Sequence, residues 1–114
     1  MSRHDDSVSM QDMLDHAREA ADMLRGKTRS DLDDDRMLQL ALTRLVEIVG
    51  EAAARVSGQT RQRESELPWP EIIGMRNRLV HGYDVIDLDV LWDTVVSDLP
   101  PLIAKLERIL ADQA

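Results

Sequence analysis

Between about Asp31 and Val56 the chain carries one uninterrupted apolar stripe: Leu38, Ala41, Leu42, Leu45, Val49, Ala52 and Val56. Intervals of three and four are the α-helical period, whereas a strand buries alternate residues. A helix with one apolar stripe draws most of its stability from packing, so the chain must supply other helices to meet it. Met10, Met13, Leu14, Ala17, Ala21 and Leu24 form a first such helix, with Ser9 as its N-cap and Gly26 as its stop. A third begins near Pro68 or Pro70, since proline fits a first helical turn, and runs to His81-Gly82. A fourth follows Asp87 with Leu88, Leu91, Trp92, Val95 and Leu99. Its stripe resumes as Leu102, Ile103, Leu106, Ile109 and Leu110 beyond Pro100-Pro101. Two prolines remove two backbone donors and predict a kink or a break there. Residues 57–67 show no period and read as an exposed loop. No strand pattern is present. The expectation is an all-α, antiparallel helical bundle of four to five helices over residues 9–114, preceded by a flexible polar tail, residues 1–8.

The acidic run Asp31-Leu32-Asp33-Asp34-Asp35 opens the second helix, where carboxylates complement the dipole. That helix has a second, weaker apolar line of Met37, Leu40 and Ile48, with Arg44 among them. Apolar residues on two sides predict two packing partners. One is the bundle core; the other is the last helix or a second chain.

Composition bounds the function classes. The 114 residues suffice for one modest core. There is no cysteine, which excludes disulfides and thiolate metal sites. No run approaches the ~20 apolar residues of a membrane span, and Met1-Ser2-Arg3-His4-Asp5-Asp6 lacks an apolar signal segment. A cytoplasmic protein is expected. Net charge is -8, which argues against broad, non-specific nucleic-acid binding and confines any RNA contact to local patches. Arg76 with Arg78 is one such patch, and Arg61 with Arg63 another. With Trp69, Trp92 and Tyr83 the only aromatics, base-stacking platforms are not expected. Asp12 and His16 stand four apart, but two ligands do not make a metal site.

The octapeptide Arg76-Asn77-Arg78-Leu79-Val80-His81-Gly82-Tyr83 breaks the pattern that the rest obeys. On a helix, Ile72, Ile73, Met75, Leu79 and Val80 fill one apolar arc, and Arg76 and Tyr83 fall near its middle. A charged guanidinium there needs a partner or a cleft. His81 lies about 140° round and about 7.5 Å along from Arg76, which is not a contact spacing on one helix. The two can meet over one phosphate only if His81 swings off the helix end, which Gly82 favours, or if a second copy of the chain contributes.

Arg-x4-His-x-Tyr, preceded by Pro68-Trp69 and Ile72-Ile73-Gly74-Met75, resembles the HepT family of HEPN domains. Ile48-Val49-Gly50-Glu51-Ala52-Ala53 and Asp87-Leu88-Asp89-Val90-Leu91-Trp92 are similar to that family as well, and the likeness spans roughly residues 10–112. It implies an HEPN-like bundle and a toxin of a type VII toxin–antitoxin system, paired with a minimal nucleotidyltransferase antitoxin. It further implies cleavage of RNA, mRNA or tRNA, through a 2′-hydroxyl nucleophile, with AMP transferred by the antitoxin to Tyr83; the Arg76–His81 angle and the line of Met37, Leu40 and Ile48 add the expectation of a homodimer.

The residue chemistry is compatible with that. Arg76 is a cation whose planar fork suits two phosphate oxygens, and an imidazole such as that of His81 can take or give a proton in phosphodiester cleavage. These two are the expected catalytic residues, with no metal and no cofactor. Asn77 and Arg78 are accessory candidates for sugar or phosphate contacts. Alternatives stand beside each. Arg76 also suits a structural ion pair with Glu47 or Glu51, and His81 a dipole-stabilised helix end. Asn77 and Arg78 also suit plain surface positions, and Glu51 a surface pair with Arg55. Trp69 and Trp92 read as core anchors. A non-catalytic nucleotide-binding partner of a nucleotidyltransferase would use the same residues. A purely helical scaffold leaves Arg76 unexplained.

Overall fold

A computed structural model of the chain describes residues 5–82 and 85–113. Helices dominate it: α1 (Asp6–Leu24), α2 (Arg29–Asp33), α3 (Arg36–Ala54), α4 (Gly58–Arg63), α5 (Trp69–Ile73) and α6 (Met75–Leu79). A two-residue strand pair follows, β1 (Val80–His81) and β2 (Val85–Ile86), then α7 (Leu88–Asp93), a π-helical turn (Thr94–Asp98) and α8 (Leu99–Asp112). The all-α expectation holds. α1 packs along both α3 and α8, and α3 carries α5 and α6 on another side. Met10, Met13, Leu42, Val46, Val49, Leu91, Leu99 and Leu106 are among the fully buried residues at the centre. No described helix is long and apolar enough to cross a membrane.

Several boundaries differ from the sequence expectations, each through a side chain that caps. α1 begins at Asp6 rather than after Ser9, because the Asp5 carboxylate accepts the Ser7 N–H at 2.9 Å. Ser9 lies buried inside the helix. The long second helix is two helices. Thr28 and Asp31 form a reciprocal capping box for α2, and Asp35 restarts the chain as the N-cap of α3. Gln39 seals the junction by donating to the Leu32 carbonyl at 2.9 Å. Part of the acidic run therefore caps helices rather than only complementing a dipole.

Residues 57–67 are not a featureless loop, since Ser57 caps α4. The Asp6 carboxylate accepts from the Ser57 N–H at 3.0 Å, the Ser57 hydroxyl at 2.6 Å and the Thr60 hydroxyl at 2.5 Å, tying α4 to the start of α1. A six-residue polar helix is too short to show a period. Arg61 donates to the carbonyls of Val56 at 3.0 Å and Ala54 at 2.9 Å, so it finishes α3 instead of offering a free cation to RNA. Arg63 lies 3.8 Å from Glu64.

At Pro100-Pro101 the helical run does not break; it widens just before them into a π turn. The Leu99 N–H bonds to Thr94 O, five residues back, and both prolines fall in the first turn of α8. The π turn removes the clash between proline rings and the preceding carbonyls. Trp69 is a core residue, its indole N–H donating to Glu64 O at 3.0 Å, whereas Trp92 is only half-buried.

The third helix departs most. It divides at Gly74 into α5 and α6 and stops at Leu79, two residues before the expected end. Val80 and His81 turn extended and pair antiparallel with Ile86 and Val85. Gly82 follows with φ +74°, a left-handed conformation that glycine adopts without strain. The strands are two residues long, too short for alternation to register in sequence.

Candidate active site

α6 and β1 carry the predicted residues, and the fold sends them to different places. Arg76 is half-exposed and ion-pairs with Glu47 of α3. Of Glu47 and Glu51, Glu47 is the one that pairs with it. Arg76 is not buried in the apolar arc: Ile72, Met75 and Leu79 form the buried face across Gly74, and Arg76 stands at its exposed edge. Glu47 also binds Arg44, one turn back on α3. Burial pushes the Glu47 carboxyl up, but hydrogen bonds from Arg44 and Arg76 and their charges outweigh it, so its pKa lies below the ordinary 4.5. Glu51 meets Arg44 at 3.4 Å, while no ion pair joins it to Arg55.

His81 has left the helix, as a swing off the helix end required. Its Nε2 stands 3.9 Å from the Asp87 carboxylate. Asp87 is fixed twice over: its N–H donates to Leu79 O at 2.7 Å, and its other carboxylate oxygen caps α7 through the Val90 N–H at 3.1 Å. His81 opens onto a cavity of about 510 Å³ walled by Arg78, Asp87, Asp93, Thr94 and Asp98. Arg76 does not line that cavity. With three carboxylates against one guanidinium, it is a poor phosphate site in an isolated chain. In one copy Arg76 is thus engaged with Glu47 and His81 faces Asp87, and the two share no cavity wall.

Asn77 and Arg78 are exposed, and neither side chain makes a hydrogen bond or ion pair among the described residues. Tyr83 lies outside the described residues. His16 is occupied by a 2.7 Å contact between Nδ1 and Asp12 O. Among the described residues no cluster of three or more His, Asp or Glu side chains has metal-site geometry. Asp87 and the π turn escaped sequence inspection. The Asp-Leu-Asp start of α7 is a capping signal that marks Asp87 as ordered, but only the hairpin brings it beside His81.

A family model described as ribonuclease HepT-like matches residues 13–109, most of the chain and all of this site. The chain belongs to the HepT-like ribonuclease family. It is 35% identical over 105 residues, 89% of this chain and 96% of the relative, to a protein of Thermococcus cleftensis named "Probable ribonuclease HepT". It is 30% identical over 109 residues, 96% of this chain and 100% of the relative, to a "Putative RNase" of Methanocaldococcus jannaschii. A "Putative RNase" of Caldanaerobacter subterraneus subsp. tengcongensis is 33% identical over 87 residues, 76% of this chain and 78% of the relative. No solved structure matches the chain.

Proposed function

We propose that this chain is a metal-independent endoribonuclease, the toxin of a toxin–antitoxin pair acting in the cytoplasm. The observation that carries the reading is the release of His81 from the helix that holds Arg76, within a chain of the HepT-like ribonuclease family. His81 on an extended segment is accessible as a proton acceptor. In the reaction it takes the proton of an RNA 2′-hydroxyl. The 2′-oxygen then bonds to the adjacent phosphorus, the P–O5′ bond breaks, and the departing oxygen takes a proton from water, to which His81 afterwards returns its own. Arg76 meets the charge that builds on the phosphoryl oxygens. The protein supplies both the proton acceptor and the cation, so the step calls on no metal. Asn77 and Arg78, unpartnered beside Arg76, hold sugar or flanking phosphate.

The active unit is a homodimer, because a single copy keeps Arg76 out of the His81 cavity. The partner is a minimal nucleotidyltransferase that transfers AMP to Tyr83, two residues past His81. An anionic nucleotide there would exclude RNA phosphate by volume and charge. The test incubates purified protein with total tRNA and mRNA, with and without EDTA. Cleavage that survives EDTA and is abolished by Arg76→Ala and by His81→Ala supports the assignment; full activity in either variant refutes it. Intact mass after co-expression with the nucleotidyltransferase tests the second part. Mass in AMP units on the wild type and none on Tyr83→Phe is expected, and an adduct with Tyr83 unmodified overturns it.

A further inference from the structure

A second cavity, about 320 Å³, opens between α5–α6 and the π turn with α8. Its volume falls at the small end of ligand-binding pockets, ~300–1,000 Å³. The floor is apolar, made by the buried side chains of Leu67, Ile72, Met75 and Leu102. Around the rim stand Glu71, Arg78, Asp98 and Lys105, two carboxylates and two cations. The side chains of Glu71, Arg78 and Asp98 make no hydrogen bond or ion pair among the described residues. Lys105 makes only a 3.4 Å contact to Glu66 O. Other charged side chains near this cavity are paired, for example Arg108 with Glu66. Three charges without partners thus stand around one apolar floor, available to a ligand. Arg78 and Asp98 also line the His81 cavity, so the two cavities share a wall.

We propose that this cavity is a nucleobase pocket that selects guanine next to the cleaved phosphodiester; the inference rests on the ribonuclease reading above. A flat base suits an apolar floor on a protein that lacks aromatic stacking platforms. Glu71 and Asp98 can only accept hydrogen bonds as carboxylates, so these two rim groups select bases by their donors. Guanine presents N1–H and the 2-amino group side by side, a pair that one carboxylate accepts together. Uracil presents a single N–H flanked by two carbonyl oxygens, which a carboxylate repels. Adenine and cytosine each offer one amino group beside an acceptor and rank between. Arg78, on the shared wall, would take the phosphate that links the bound base to the bond beside His81. The π turn has a part in this, since it carries Asp98 to the place where both cavities meet. Widened turns of this kind recur at functional sites.

The experiment has two arms. In the first, GMP and UMP are titrated separately into the ¹⁵N-labelled wild-type protein, and into Asp98→Asn and Glu71→Gln. GMP should shift the amides of Ile72, Arg78 and Leu102 and bind roughly ten-fold tighter than UMP, a preference that one or both substitutions should erase. Equal affinity for the two nucleotides, or shifts confined to other surfaces, overturns the pocket. In the second arm, cleaved ends from a random RNA pool are sequenced for the wild type and the same two variants. Enrichment of guanine beside the cleaved bond in the wild type, lost with the substitution that weakens GMP binding, is expected. Cleavage with no base preference refutes the pocket and leaves the ribonuclease reading intact. GMP bound at the pocket with no cleavage of any RNA refutes the ribonuclease reading and leaves a guanine-binding site.

Discussion

Arg76 and Glu47 join α6 to α3 through an ion pair, and the same carboxylate holds Arg44 from within α3. Glu47 is only 23% exposed while both arginines are more than half exposed, so the carboxylate is the fixed member and the arginines are arranged around it. The cation proposed to face RNA phosphate is thus placed by a helix far from it in sequence.

That arrangement makes part of the stability pH-dependent. The Glu47 pKa is lowered on folding, so the native state binds this proton less readily than the unfolded chain. The stabilisation is complete above the ordinary value of 4.5 and is lost as pH falls through the lower folded value. Solvent screening at the two exposed arginines keeps the gain to about 1 kcal/mol. Urea midpoints measured from pH 7 to pH 3 should decline less steeply in Glu47→Gln than in the wild type. Identical acid limbs in the two proteins would show that the pair contributes nothing.

Gly50 governs how closely α5 approaches α3. A Cβ at this position would lie 3.1 Å from Ile72 O and 3.2 Å from Ile73 O, both backbone atoms that cannot step aside. Gly50→Ala should therefore destabilise the protein by about 1–3 kcal/mol, in spite of alanine's better helix propensity. Gly58→Ala is the control, since a Cβ there meets open space at the start of α4. Thermal melts should show a clear loss for the first substitution and little change or a gain for the second. Equal melting temperatures would remove the close approach as an explanation.

How much of this was legible in the sequence follows from the range of the forces involved. The stripe Leu38–Leu42–Leu45–Val49 reports burial on one face of a helix, and all four residues are buried in α3. Gly26 does end its segment with φ +78°. The splits after Asp33 and at Gly74 were hidden because an apolar stripe continues across a cap; only the bonds of Asp35 and Gln39 reveal the restart. Arg76 stands out because it violates the pattern, and Glu47, its partner, is one of the two carboxylates that α3 offers. The proximity of Asp87 to His81 depends on a two-residue strand pair, and no periodicity encodes so short a ladder.

Asp87 serves two neighbours, and substitution separates them. Asparagine caps a helix nearly as well as aspartate, so Asp87→Asn should keep the melting temperature while removing the negative charge 3.9 Å from His81. Asp87→Ala loses the cap as well and should cost about 1 kcal/mol. If the carboxylate orients His81 for catalysis, both variants should lose kcat with little change in KM. An Asp87→Asn enzyme with wild-type turnover would restrict Asp87 to its capping role.

The last prediction concerns the outer face of α3. Met37 is 82% exposed and Leu40 50% exposed, and their line continues at helical spacing through Arg44 to Glu47, where Arg76 is held. A second copy covering Met37 and Leu40 would lie beside Arg76 and could bring its own His81 toward that guanidinium. This would supply the meeting that one copy does not provide. Both residues are exposed in the single chain, so Met37→Glu with Leu40→Glu should leave the fold unchanged, as far-ultraviolet circular dichroism can verify. Light scattering at micromolar concentration should give twice the 12.9 kDa chain mass for the wild type and the single mass for the double variant. RNA cleavage should fall in step with the dimer population and recover at high protein concentration. A monomeric variant that cleaves RNA at the wild-type rate would overturn the shared cleft and would require Arg76 and His81 of one chain to meet by a rearrangement of α6.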